Sequence, residues 1–126
     1  MPQYVISFPD GAMQISAEDL PEVARAANAV GDEAKAAGAW VYGAGAEHQV
    51  SSVVAPDGTI TDGPYPEAKE HLGGFAIVDV ATREEALQWA AKIAAACRCP
   101  QEVVELLPDD YGQQLIERQR ELVAKA

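Results

Sequence analysis

The feature that most constrains the fold of this chain is a short run that leads directly into its most apolar segment. Residues 61–75 read TDGPYPEAKEHLGGF. The Asp-Gly-Pro step favours a tight turn, because Pro64 fixes its own φ angle and Gly63 tolerates a positive φ. The Gly-Gly step near the end lets the backbone pass close to another segment. The nearly continuous apolar residues 74–80 that follow predict a central β-strand.

Other strand and helix signals alternate along the chain. Short β-type runs bounded by Gly and Pro predict strands at residues 4–8, 39–44, 50–55, 59–61, 74–80 and 102–107. Apolar residues at helical spacing predict three helices, at residues 19–38, 82–97 and 111–126.

The starts of the first two helices are marked by capping pairs. Asp19 with Glu22 caps the first helix and leaves Pro21 in the first turn, where proline is tolerated. Ser16 is a competing start. Thr82 with Glu85 forms a capping box for the second helix.

The predicted order β-α-β-β-β-β-α-β, followed by a helix, indicates an α+β protein. Two β-α-β halves with their helices on one face of the sheet describe a ferredoxin-like sandwich. Such a sheet leaves its second face uncovered. Because the strands are apolar and large apolar patches mark interfaces, we expect that face to be buried in an assembly.

Residues 61–75 resemble the signature of the YCII-related, or DGPF-domain, family, which is Asp-Gly-Pro-aromatic followed by Glu-x-Lys-Glu-x-Leu-Gly-Gly-aromatic. Tyr65 stands where the family usually has Phe, and His71 takes a position that is often Gln. The resemblance implies a homodimer in which the two sheets form a dimeric α+β barrel. It covers roughly residues 3–107, so we expect a family domain at 1–108 and a C-terminal helical extension at 109–126.

Candidate acid–base residues cluster in the same run. Asp62 and Glu67 offer carboxylates, either of which can serve as a general base, and His71 is a natural proton-transfer group near neutral pH. Structural roles compete with these assignments. An aspartate in a turn commonly accepts hydrogen bonds from local backbone amides, and His71 can be a packing or hydrogen-bonding residue of the loop.

Ligand contacts are predicted from nearby polar residues and from large aromatic residues: Trp40, Tyr42, His48, Tyr65, Lys69 and Glu70. Trp40 and Tyr42 are expected on one face of a strand, because strand side chains alternate with a period of two. On that face they would line a pocket closed by the dimer. Core packing is the alternative for the aromatic residues, and solvent exposure is the alternative for His48 and Lys69.

Composition excludes several classes of function. The net charge of −11, from 20 acidic and 9 basic residues, disfavours nucleic acid and anionic membranes as partners. No apolar run reaches the roughly 20 residues that span a bilayer, and the first residues do not form a signal peptide. We therefore expect a soluble, cytoplasmic protein.

Cofactor and metal signals are weak. The chain has no glycine-rich dinucleotide fingerprint and no histidine or cysteine pair at metal-ligand spacing, so no cofactor and no metal is predicted. Cys97 and Cys99 are too close in sequence for an unstrained disulfide, and we expect free thiols.

Two functions remain open, and the sequence does not decide whether any reaction occurs. One is a small enzyme without a cofactor, by analogy with other dimeric α+β barrels that act on small aromatic or lactone-like compounds. The other is a non-catalytic dimeric module that binds a ligand or a protein and has a regulatory role. An apolar stripe on the last helix could dock on such a partner, or pack on its own domain or the sister subunit: Leu115, Ile116, Leu122 and Val123.

Overall fold

The computed structural model describes residues 1–46, 51–63, 71–108 and 110–125. In these residues the elements follow the predicted order, which confirms an α+β fold with antiparallel strands and three helices. They are β1 (Gln3–Pro9), α1 (Leu20–Ala36), β2 (Trp40–Gly45), β3 (Ser52–Val54), β4 (Ile60–Asp62), β5 (Leu72–Asp79), α2 (Arg83–Cys97), β6 (Glu102–Glu105) and α3 (Tyr111–Ala124).

The main sheet has four strands in the order β2-β5-β1-β6, and each neighbouring pair is antiparallel. Strands β1 and β2 therefore run in the same direction with β5 between them, and α1 connects them. Strands β5 and β6 are likewise parallel, with β1 between them, and α2 connects them. Each β-α-β unit thus contributes one central strand and one edge strand.

The core lies between the sheet and the helices. Alternate residues of the two central strands are buried, among them Ile6 on β1 and Val78 on β5. They pack with Ala86 and Ala90 of α2, which are also buried, and half-buried Trp89 packs against this cluster. The small alanines let the helix approach the sheet closely, so the strands, rather than α2, supply the bulky core residues.

The first turns of α1 and α2 differ in how they are capped. Thr82 Oγ1 accepts a hydrogen bond from Glu85 N at 3.2 Å, which confirms the predicted cap of α2. Helix α1 begins at Leu20, as predicted, but the Asp19 side chain does not cap it. That carboxylate instead accepts a hydrogen bond from Arg98 at 2.9 Å, so it ties the start of α1 to the residue after α2.

A separate hairpin is formed by β3 and β4. Gly58 has a φ of 89°, a value that L side chains rarely adopt, and Asp57 Oδ1 accepts a hydrogen bond from Thr59 N at 2.9 Å. That hydrogen bond lowers the pKa of Asp57. Asp57 and Gly58 therefore belong to the turn that joins the two strands.

The C-terminal helix α3 carries its apolar stripe on the outside. Within the chain, Leu115, Ile116, Leu122 and Val123 are each 44–68% exposed. The alternative that these residues pack on their own domain is therefore wrong for the described part of the chain, which leaves all four side chains exposed. Packing on a sister subunit stays a prediction. No helix within the described residues is long and apolar enough to cross a membrane.

Candidate functional site

The structure describes two of the three predicted acid–base residues. Asp62 is exposed at the end of β4, in the separate hairpin. His71 is half-buried and immediately precedes β5, and its carbonyl oxygen accepts a hydrogen bond from Asp10 N at 2.8 Å. No hydrogen bond joins these two side chains in the part of the chain that is described. The remaining predicted residues, Glu67, His48, Tyr65, Lys69 and Glu70, lie outside the described residues.

Trp40 and Tyr42 do not share a face of β2, so this prediction is wrong. The register shifts between them: Trp40 pairs with Val78 on β5, whereas Tyr42 pairs with Ile77. Because paired residues of antiparallel strands point to the same side, Trp40 faces the helices with buried Val78 and Tyr42 faces away. The tilted ring contact of Tyr42 with Phe75, at 6.0 Å between centroids, lies on that opposite face. A strict period of two fails here because of the irregularity in the ladder.

The sheet face away from the helices carries an apolar row that crosses all four strands. Tyr42, Ile77, Val5 and Val104 are neighbours in register on β2, β5, β1 and β6. Tyr42 is 59% exposed and Val104 46% exposed, while Ile77 and Val5 are half-buried. Among the described residues, no helix packs on this face.

An apolar groove runs between α1 and the helix-facing side of the sheet. It encloses about 840 Å³ and extends along α1 from Leu20 to Lys35. Its inner wall includes Ile6, Val23 and Ile93. Concave apolar spaces of roughly 300–1,000 Å³ are typical of small-molecule sites, so the groove is large enough for a ligand.

Two of the aromatic rings that line this groove pack directly against glycines. A Cβ on Gly43 would lie 2.5 Å from the Trp40 ring, and a Cβ on Gly74 would lie 2.7 Å from the Phe8 ring. Each ring therefore occupies the space that a side chain would take. Gly74 belongs to the Gly-Gly step of residues 61–75, so this run shapes one end of the groove.

Polar side chains of α1 form a stripe at the exposed side of the groove. Asn28, Asp32 and Lys35 recur at intervals of four and three residues, so they lie on one side of the helix. The Lys35 ammonium lies 5.8 Å from the centre of the Trp40 ring, within cation–π range. Sequence reasoning missed this stripe, although its helical spacing beside small residues was a readable signal.

Among the residues described, no group of three or more His, Cys, Asp or Glu side chains could hold a metal ion. The two cysteines are free, as predicted, and both are buried. Burial raises the pKa of Cys97, and the neighbouring Cys99 raises it further. Burial also raises the pKa of Cys99. Both thiols are therefore held in the protonated form, which neither attacks electrophiles nor binds metal well.

We expect Cys97 and Cys99 to react with iodoacetamide at pH 8 at least about tenfold more slowly in the native protein than in urea, because folding buries both thiols and raises their pKa. Because the folded thiols hold their protons more tightly, folding stability should also fall as the pH rises through about 8.5, where unfolded thiols ionise. Mass spectrometry of timed alkylation checks the rate. Equal native and unfolded rates would contradict the assignment.

Comparison with protein families agrees with the features of residues 61–75. A family model described as the YCII-related domain matches residues 4–108. The match includes the four-stranded sheet, α1, α2 and the β3–β4 hairpin, and it ends before α3. A search of curated proteins finds no match.

Proposed function

The chain belongs to the YCII-related family, and on this premise we propose that it is a homodimer that binds a small molecule in the groove between α1 and the sheet. The observation that carries the proposal is the groove itself, with its volume of about 840 Å³ and its lining of apolar and small residues. A concave, mainly apolar surface of this size is typical of small-molecule sites.

The homodimer is proposed from the open sheet face. The strand order supports the proposal of a ferredoxin-like sandwich, in which the uncovered faces of two sheets can pack together and give a dimeric α+β barrel. The row of Tyr42, Ile77, Val5 and Val104 would lie at the centre of that contact. Burial of these side chains would remove this apolar row from water.

Acid–base chemistry without a cofactor is proposed at the end of the groove that the signature shapes. Two observations support a place for His71 near that end. Its carbonyl oxygen accepts a hydrogen bond from Asp10 N, two residues after Phe8, and it lies three residues before Gly74, on which the Phe8 ring packs. Asp62 and Glu67 are the carboxylates proposed to work with it. In this scheme His71 transfers the proton and a carboxylate orients its ring.

A thermal-shift screen of the protein against small acids, lactones, phenols and divalent metals tests the proposed function. A ligand at about 100 times its Kd adds about 2.7 kcal/mol, which raises Tm by several degrees in a domain of this size. We expect at least one compound to raise the Tm of the wild type, and to raise the Tm of Asp62→Asn by less. A shift that is unchanged in Asp62→Asn would remove Asp62 from the site, and no hit in the wild type would contradict small-molecule binding.

The exposed stripe of α3 favours a second candidate, a dimeric module that docks on a regulatory protein partner. Deletion of residues 109–126 separates the alternatives. If α3 packs on the sister subunit, the truncated protein should lose dimerisation or folding, as measured by molar mass and circular dichroism. An intact, folded dimer would show that the stripe is available to a partner.

A further inference from the structure

Glycine and alanine form much of the floor that β2 and β5 give to the groove. Gly43 on β2 pairs with Ala76 on β5, and Gly45 pairs with Gly74. Gly43 and Gly74, on which the two aromatic rings pack, are therefore offset by two residues along the strands, which is about 7 Å. The Trp40 ring rests on the first and the Phe8 ring on the second. The space between them is bounded below by backbone and by the Ala76 methyl group.

Small residues also line the opposite wall, which is formed by α1. Helix α1 presents Ala24, Ala27 and Gly31 to the groove. A Cβ added to Gly31 would lie 3.9 Å from the Trp40 ring, so this ring spaces the helix from the sheet. Along this stretch, small residues on both walls leave space between the helix and the sheet, and Ile6, Val23 and Ile93 close its inner side. Such a space accepts a flat molecule better than a bulky one.

The Lys35 ammonium stands at the mouth of this space, and none of the carboxylates in the described residues pairs with it. Lys92 pairs with Glu33, and Arg98 pairs with Asp19, but no described carboxylate lies within 4.0 Å of the Lys35 ammonium. The Asp32 carboxylate lines the same side of the groove one turn earlier. It would repel a second anionic group, and the net charge of −11 acts in the same direction.

We propose that the groove binds a flat, mainly apolar organic molecule with a single anionic group, which Lys35 holds at the mouth while the ring system lies between Trp40 and Phe8. This inference rests on the proposed function, because it names the class of ligand for the same groove. A hydroxyl group on such a ligand would find acceptors in Asp32 and Asn28.

Three probes of similar shape test the class: 2-naphthoate, its neutral isostere 2-naphthamide, and the dianion 2,6-naphthalenedicarboxylate. The protein has two tryptophans, so a ¹H–¹⁵N spectrum contains two indole N–H signals. Trp89→Phe assigns them. We expect each bound probe to shift the Trp40 signal and to leave the Trp89 signal in place. Naphthoate should bind about fivefold more tightly than the amide, and the dianion most weakly.

Matched variants test two things separately: where the probes bind, and whether the groove prefers a single anionic group. Ala27→Leu fills the groove and should abolish the Trp40 shift for all three probes. Ala29→Leu makes the same change on an exposed position of α1 and should bind as the wild type does. Lys35→Gln should remove the preference for naphthoate over naphthamide without weakening the amide. Asp32→Asn should strengthen binding of the dianion.

The results show whether only the proposed ligand class is wrong or whether small-molecule binding in the groove is wrong as well. If the amide binds in the groove as tightly as naphthoate, or if Lys35→Gln keeps the preference, the inference fails while the proposed function stands. If binding shifts Trp40 equally in wild type and in Ala27→Leu, the groove is not the site and both fail. Both also fail if no probe moves the Trp40 signal at millimolar concentration.

Discussion

Replacing Ile77 by aspartate is expected to convert the protein from a species of twice the 13.3 kDa chain mass into a 13.3 kDa monomer. Ile77 lies in the middle of the apolar row on the open sheet face, where the proposed interface would bury it completely. An unpaired carboxylate in such an interface costs several kcal/mol, which weakens association by more than about a hundredfold. Light scattering at about 10 µM, after size-exclusion chromatography, measures the mass.

The Ile77→Asp monomer should remain folded, because Ile77 is outside the buried cluster between the sheet and the helices. Circular dichroism checks this. Leu87→Asp is the matched control, since Leu87 is 39% exposed on α2 and lies away from the open face. That variant should stay dimeric. A monomeric wild type at this concentration would contradict the homodimer, and a dimeric Ile77→Asp would place the interface elsewhere.

Adding one methyl group at Gly73 is expected to destabilise the fold by about 3 kcal/mol. A Cβ there would lie 2.7 Å from Pro9 O and 2.8 Å from Asp10 N. Both are backbone atoms, held by the pairing of β1 with β5 and by the hydrogen bond from Asp10 N to His71 O. They cannot rotate away as a side chain could. Thermal unfolding of Gly73→Ala should show a Tm lower by about 10 °C.

Two other glycines of the same sheet calibrate this result. No described atom lies within 4 Å of a Cβ added to Gly45, so Gly45→Ala should be neutral or slightly stabilising. Gly74→Ala should fall between the two, because the atom it meets belongs to the Phe8 ring, which can shift. If Gly73→Ala unfolds at the wild-type temperature, the close approach of the two backbone segments is not a requirement of the fold.

Much of the fold was predictable because the decisive signals are local. Thr82 caps α2 through a residue three positions away, and Gly58 marks its turn through its own φ angle. The hydrogen-bond partner of the Asp19 carboxylate was not predictable in the same way. Its carboxylate bonds Arg98, 79 positions later in the chain, and only the tertiary arrangement of α1 and α2 brings the two together.

In the candidate site, too, local features could be predicted and features that depend on tertiary packing could not. The Gly-Gly step was expected to permit a close backbone approach, and Gly73 makes one with Pro9. The orientation of Trp40 depends on an irregular register between β2 and β5, for which the sequence of β2 alone offers no signal. The groove was missed because it is lined by residues of elements far apart in sequence, such as Ala27 on α1 and Ala76 on β5. Small residues that face one another are recognised only once these elements are packed.

The central position of β1 affects how the chain can reach its native state. Residues 3–9 take their hydrogen bonds from residues 72–79 and 102–105, so neither edge of this strand is satisfied until most of the chain is present. Pairings this distant in sequence give a high contact order and slow folding. During synthesis the first strand emerges long before its partners, and its exposed edges are open to other chains throughout that interval. The last pairing to become possible, between β1 and β6, is therefore the step that completes the sheet.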